Sequence, residues 1–305
     1  MNQLFAVGQG KSWIVERLVK WVEESKEGRE DLLICAAHML AALGRKDEHC
    51  VSLVHEYGVA HPLGKIAIKM SALQFEKATN GTRPGEVTQI LFGVVSLLRH
   101  LSIPVANKAI LGDTGIIGPV STLLQRELDI VGPLQNAVVG LLKHLTAANV
   151  PNSLRLLETP SASQQNAVAT TDASPAAPSS PFDFVLALIP RTDDVRLRSE
   201  ATRIVVNVVR TLFSTKPLGT ATDLAHASPI TPTLHSAASN GLDAEETMKR
   251  RGRPLIVRKE VAEALSEMVR LSERYPMLIN EAVVGLTLLA GSGGAGGELF
   301  LFLTG

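Results

Sequence analysis

The residues best suited to recognise another molecule sit near the C-terminal ends of long apolar runs. Arg45, Lys46 and Asp47 follow LLICAAHMLAAL. Arg99 and His100 lie in LLRHLSIP, with Asn107 and Lys108 just beyond it. His144 stands in LLKHLTAAN and Arg210 in VVNVVRTLF. These side chains offer charge and hydrogen bonds rather than nucleophiles. An arginine guanidinium grips a carboxylate through two parallel N–H donors. As a set they suit an extended surface that holds a protein partner. Each also has a plainer use, because an Asn or His at a helix junction can satisfy a backbone group of the next element.

Covalent chemistry has no visible seat. The chain lacks Gly-x-Ser-x-Gly, a Walker loop, His-Glu-x-x-His and Cys-x-x-Cys. GSGGAG (291–296) fits Gly-x-Gly-x-x-Gly by letter, but it follows a helical run instead of a strand, and nine residues remain after it. It reads as a flexible tail. His49, His55 and His61 recur every six residues, which scatters them over different helix faces and argues against a metal site. Cys35 and Cys50 lie in apolar patterns and are expected to be buried small hydrophobes; two cysteines are too few for a disulfide framework. No cofactor is expected. Arg251-Gly252-Arg253-Pro254, inside MKRRGRPLIVRK, looks like the core of an AT-hook that enters the DNA minor groove. The same letters suit a nuclear import signal or a solvated loop end.

Composition limits the partners. Hydrophobic residues are 45% and aromatic residues 4%, so Leu, Val and Ala build the core and few rings remain to stack bases. Lys plus Arg equals Asp plus Glu at 30 each, leaving no net charge to steer the chain to a polyanion or an anionic membrane. Both features argue against nucleic acid. MNQLFAVGQGKSWIVERLVKW holds no signal-peptide run, and every apolar run is interrupted before membrane-spanning length. The expectation is a soluble intracellular protein without membrane insertion.

The elements that must position the polar residues read as helices: 32–43, 89–101, 116–128, 133–145, 198–213, 257–275 and 280–290 are apolar runs of mostly helical period. No stretch keeps the alternation of a strand. Residues 159–181 and 217–252 are rich in Ser, Ala, Thr and Pro and lack a core stripe, so both are expected to be disordered loops, the second basic at its end. From His100 to the equivalent His144 is 44 residues. From His144 to Arg210 is 66, or 43 without the first loop, and from Arg210 to Leu289 the step is again 43 without the second. A helical period in the low forties is that of armadillo or HEAT repeats. The fold class expected is therefore all-α, an armadillo/HEAT-like helical repeat solenoid with disordered loops. Its blocks are 1–158, 182–216 and 253–290, with a tail over 291–305. In such a repeat the last helix lines the inner groove, and Pro104 turns the chain into the next repeat.

LLRHLSIPVANKAILGDTGIIGPVSTLL (97–124) resembles a repeat of the small-GTPase GDP dissociation stimulator (SmgGDS) family, whose members carry Leu-Arg-Asn-Leu-x-Ile-Pro-x-x-Asn-Lys at this place. LGRKDEHCVSLVHEYGV (43–59) resembles the preceding repeat of that family. SEATRIVVNVVRTL (199–212) and INEAVVGLTLLA (279–290) are similar to later ones, more loosely. The resemblance runs from about Leu32 to Leu157. It implies an armadillo protein that binds Rho- and Ras-type GTPases, often prenylated, in a concave groove. Such a protein acts as a guanine-nucleotide exchange factor, a chaperone, or both. Carried over, the groove contacts fall on Arg45, Lys46, Asp47, Arg99 and His100, with Asn107 and His144 in the same row. The family's groove Asn is Ala42 in one repeat here and His100 in the other, and the family has further repeats before the point where this chain starts. The implied location is the cytosol, with association with endoplasmic reticulum or mitochondria. A scaffold or transport adaptor without exchange activity is the other reading of the same fold.

Overall fold

The structure, a computed structural model, describes residues 12–24, 28–79, 85–125, 132–159, 180–214, 235–272 and 277–291. It contains helices and no strand among these residues. Apolar periodicity decides where they form. Val15, Leu18, Val19 and Val22 make one buried stripe on α1 (Trp13–Glu23), at the spacing of a 3.6-residue turn. α2 (Glu30–Leu43) buries Leu33, Ala36, Ala37 and Leu40 in the same way.

After this pair the helices come in threes. α3 (Asp47–His55), α4 (Ala60–Thr79) and α5 (Gly85–Leu101) form one repeat. α6 (Val105–Asp113), α7 (Ile117–Thr122) and α8 (Gly132–Thr146) form the next. α9 (Val150–Leu157), α10 (Pro181–Arg191) and α11 (Val195–Phe213) follow, then α12 (His235–Ile256), α13 (Lys259–Leu271) and α14 (Met277–Ala290). Like packs on like. The third helices α2, α5, α8, α11 and α14 stack in chain order. So do the second helices α1, α4, α7, α10 and α13, and the first helices α3, α6, α9 and α12. The molecule is thus an all-α helical repeat solenoid in which each repeat contributes one helix to each of three layers. Its core lies between the layers: Leu97, Leu98, Leu101, Leu141, Leu142, Leu145, Val208, Val209 and Leu212 are fully buried at matching places in three successive third helices.

Local chemistry sets the boundaries. Pro104 is the N-cap of α6 and stops α5 three residues earlier. The Asn149 side chain accepts from Asn152 N and starts α9, while the Asp194 carboxylate accepts from Arg196 N at 2.8 Å and starts α11. Gly115, at φ +78°, makes the left-handed turn between α6 and α7.

Two sequence-based boundaries need correction. The helix expected over 116–128 ends at Thr122. There the backbone tightens into i→i+3 bonds, Leu123 N to Val120 O and Leu124 N to Ser121 O, and the Thr122 hydroxyl donates to Pro119 O. The loop expected over 217–252 is helical from His235 onward. Its charges form helical pairs, Glu245–Lys249 at 2.8 Å, Glu246–Arg250 at 3.5 Å and Glu246–Arg253 at 3.1 Å. Gly252 lets this helix close on Leu154 and Leu212. So α12 is the first helix of the last repeat, and a boundary at 252/253 cuts through it. The remaining loop and tail expectations, at 160–179, 215–234 and 292–305, lie outside the described residues.

Candidate partner-binding wall

Each third helix leaves one stripe uncovered. On α5 it runs through Gln89, Phe92, Ser96 and Arg99. On α8 it runs through Pro133, Asn136 and Lys143, with Gly140 on the same line but covered by the Arg99 side chain, and on α11 through Glu200, Arg203, Asn207 and Arg210. The helices are parallel, each meeting its successor about one turn before the equivalent residue. The Asn207 amide donates to Lys143 O at 3.1 Å, and the Thr211 hydroxyl donates to Thr146 O at 3.3 Å. The buried pairs Leu97-Leu98, Leu141-Leu142 and Val208-Val209 put Arg99, Lys143 and Arg210 at one position of three successive repeats, a correction by one residue to the expected equivalence of Arg210 with His144.

These three cations have different surroundings. Lys143 pairs with Glu200 of the next repeat. Glu200 also accepts from Arg203 at 2.7 Å, and Arg203 reaches Glu281 on α14 at 3.2 Å. The result is a chain of charges linking α8, α11 and α14. Burial pushes the Glu200 carboxyl up, but the Lys143 and Arg203 donors more than offset it and hold the group below the usual carboxylate range. Arg99 finds Pro133 where Lys143 finds Glu200, so it has no acid to meet. Its side chain lies across Gly140, where an added Cβ would stand 2.7 Å from Arg99 Cδ. Among the described residues neither Arg99 nor Arg210 has an ion pair or side-chain hydrogen bond.

The other expected site residues divide into exposed and structural groups. Arg45, Lys46 and Asp47 are exposed in the turn after α2 and at the start of α3. They share a corner with Arg99, because the Cys50 thiol lies 3.0 Å from Gly44 O and 3.5 Å from His100 O. His100 is half-buried, with its Nδ1 2.7 Å from Ser96 O. Asn107 is not a groove residue. It is fully buried, and its amide donates to Cys50 O at 3.0 Å and Leu101 O at 2.9 Å, tying α6 to α3 and to the end of α5. Lys108 is likewise inside, donating to Ala147 O at 2.7 Å, and burial pulls its pKa down.

Asn152 repeats the role of Asn107 one repeat later, donating to Lys108 O at 2.8 Å and Leu145 O at 3.1 Å. His49 does part of it one repeat earlier, with Nδ1 3.0 Å from Leu43 O. The sequence reading missed Asn152, although Pro104-x-x-Asn107 and Asn149-x-x-Asn152 are similar strings at similar distances past a third helix.

His144 is half-buried. Burial, then the Lys143, Arg99 and Lys108 charges, push its pKa down from 6.5 to about 4, against the pull of Glu200. It is a neutral imidazole at pH 7, not a cation offered to a partner. An unfolded chain protonates this ring near pH 6.5 while the folded one resists to about pH 4, so the unfolded state binds more protons in that window. Stability is fully present above pH 6.5 and falls as the pH drops. Unfolding free energies from urea titrations at pH 7 and 4.5 are expected to differ by about 2 kcal/mol. His144→Gln should flatten the slope between those values; an unchanged slope would mean the ring is not the group responsible.

The cysteines and the basic run are also settled by position. Cys50 is buried, and desolvation, then the Asp47 charge, push its thiol up to about 11. Cys35 is exposed on α2, contrary to expectation, because it falls on the uncovered stripe of that helix. The AT-hook reading fails on geometry. Arg251 Nε donates to Glu158 at 2.6 Å, Arg253 Nε donates to Leu212 O at 2.9 Å with its guanidinium over the Phe213 ring, and Lys249 is buried against Ser214 O. A minor-groove arm needs an extended backbone and free arginines, and this segment has neither. Among the described residues no group of three or more His, Cys, Asp and Glu is arranged to hold a metal ion, and no helix is long and apolar enough to cross a membrane.

No family model matches the chain. A solved structure similar in outline is the crystal structure of an engineered protein, 14% identical, with 90% of this chain and 96% of that chain aligned at a TM-score of 0.45. That likeness is too slight to carry an argument about what the chain does. The assignment to an all-α repeat solenoid stands on the chain's own three-layer stacking of helices.

Proposed function

We propose that this chain is a regulator that binds small GTPases of the Rho/Ras type on the wall of third helices, as the resemblance to the SmgGDS family implies. It acts there as a GDP dissociation stimulator, a chaperone, or both. The observation that carries the reading is Arg99. It lies inside the string that bears the resemblance, sits on the uncovered stripe, and has no acidic partner among the described residues. Arg45 at the neighbouring corner adds a second exposed cation, with no ion pair among the described residues. Together they suit carboxylates on the switch surface of a GTPase.

Exchange of this kind needs no covalent step. A wall that binds the nucleotide-free GTPase more tightly than the GDP-bound form drives GDP release by that difference in affinity. The test is GDP-release kinetics and equilibrium binding with prenylated and unprenylated Rho. Arg99→Glu should weaken binding about 100-fold, the scale of a reversed charge in an interface, and slow GDP release in step. Lys20→Glu, exposed on α1 in the layer of second helices, should change neither. Binding of Rho that survives Arg99→Glu would refute the site. Binding without faster GDP release would favour the chaperone role over exchange.

A further inference from the structure

We infer that Cys35, Met39 and His38 form a binding site for a soft monovalent metal ion, copper(I), on the exposed face of α2. The two sulfurs carry the argument. Cys35 Sγ lies 3.8 Å from Met39 Sδ. A metal about 2.3 Å from each sulfur spans that gap at an S–metal–S angle of about 110°, so the two side chains already stand as a pair of ligands. Helix geometry brings the third. Positions i, i+3 and i+4 are surface neighbours, and side chains lean toward the N-terminus of their helix. His38 and Met39 therefore lean back toward Cys35. The lean of His38 is visible against α5, where its Nε2 and the carbonyl oxygen of Ile34 come within 3.7 and 3.9 Å of the place a Cβ would take on Gly93. Its ring is steadied beside that of Phe92, 6.0 Å away. All three side chains are exposed, and among the described residues none makes a hydrogen bond or ion pair beyond the contact between the two sulfurs. A metal ion displaces nothing on arrival.

The donor set selects the metal. Thiolate and thioether sulfurs are soft ligands that suit copper(I). Zinc draws instead on Cys, His, Asp and Glu. Asp31 stands one turn before Cys35, yet no group of three such residues is arranged to hold a metal among the described residues. The Cys35 thiolate cancels the single charge of copper(I), so the site needs no further acid. Its three ligands come from one exposed helix face, which leaves a coordination position open to solvent. An open position is the mark of a site that exchanges ligands, as opposed to the closed shell of a structural metal.

The inference uses none of the residues of the GTPase reading and does not rest on it. The test is an anaerobic titration of the full chain with copper(I) against a bicinchoninate competitor, followed by X-ray absorption of the loaded protein. One copper ion per chain is expected, with two sulfur neighbours and one nitrogen neighbour. Cys35→Ser should abolish binding. Met39→Leu and His38→Phe should each weaken it at least about tenfold, since even an outer-shell partner is worth that much to a metal site. None of the three should move the melting temperature of the metal-free chain, because all three positions are exposed. Zinc at equal concentration should displace no copper. Copper binding that survives Cys35→Ser, an affinity unchanged by Met39→Leu, a single sulfur neighbour in the absorption spectrum, or displacement of copper by zinc would each overturn the inference.

Discussion

Gly112→Ala is expected to destabilise the fold by about 4 kcal/mol, combining overpacking with the loss of a buried hydrogen-bonded amide. Gly112 lies on α6 where α9 crosses it, and an added Cβ would stand 2.6 Å from Asn152 Cγ and 2.8 Å from Arg155 Nη1. Asn152 cannot step aside cheaply. It is fully buried, and its amide holds Lys108 O and Leu145 O. Pushing it out leaves two carbonyls of neighbouring elements without their donor. Urea unfolding measures the loss, and a change below about 1 kcal/mol would show that the Asn152 side chain is not needed where it stands. Gly140→Ala is the matched contrast. Its Cβ also lands on a neighbour, but that neighbour is the Arg99 side chain, which can swing into solvent. Stability should change little, while Arg99-dependent binding should weaken.

Phe182→Ala should cost about 3–5 kcal/mol, the usual range for emptying a buried aromatic site. Phe182 is fully buried on α10, and the Arg258 guanidinium lies 5.5 Å above its ring. Arg258 also pairs with Asp183 at 2.7 Å. Burial pushes the Asp183 carboxyl up, but the Arg258 bond and the Ser180 backbone N–H hold it below its usual value. The ring thus anchors the Arg258 bridge between α10 and the start of α13 as well as filling space. The expected signature is a large drop in the urea midpoint together with a higher Asp183 pKa by NMR. A drop without any change at Asp183 would separate the cavity from the bridge.

The repeat and the third helices were legible because they depend on near-neighbour periodicity. Leu97-Leu98, Leu141-Leu142 and Val208-Val209 are the same buried pair three times over, and the 44-residue step from His100 to His144 announces the period. The first helices were harder. α6 buries Asn107 and Lys108 beside a single Leu111, and the charged α12 is held by packing on α9 and α11, so neither carries a wide apolar stripe. In α12 the decisive contacts come from 35 residues or more away in sequence, Lys249 to Ser214 O and Arg253 to Leu212 O, so a basic run looked like a solvated loop. The site was partly legible for the same reason. Arg99 could be placed on a face from its spacing. That Asn107 turns inward, or that Lys143 is matched by Glu200 57 residues later, is decided by which repeat lies beside it.

The donors that cross between successive first-helix junctions change in kind along the chain. Asn107 and Asn152 use short, fully enclosed amides with little freedom to lose. At the last junction the ties are Lys249 and Arg253, long side chains whose rotamers must be frozen to reach Ser214 O and Leu212 O. Fraying therefore begins at the α12–α14 end. Amide protons there exchange with solvent ahead of those in α5 and α8, and the middle of the array stays closed while its last member opens.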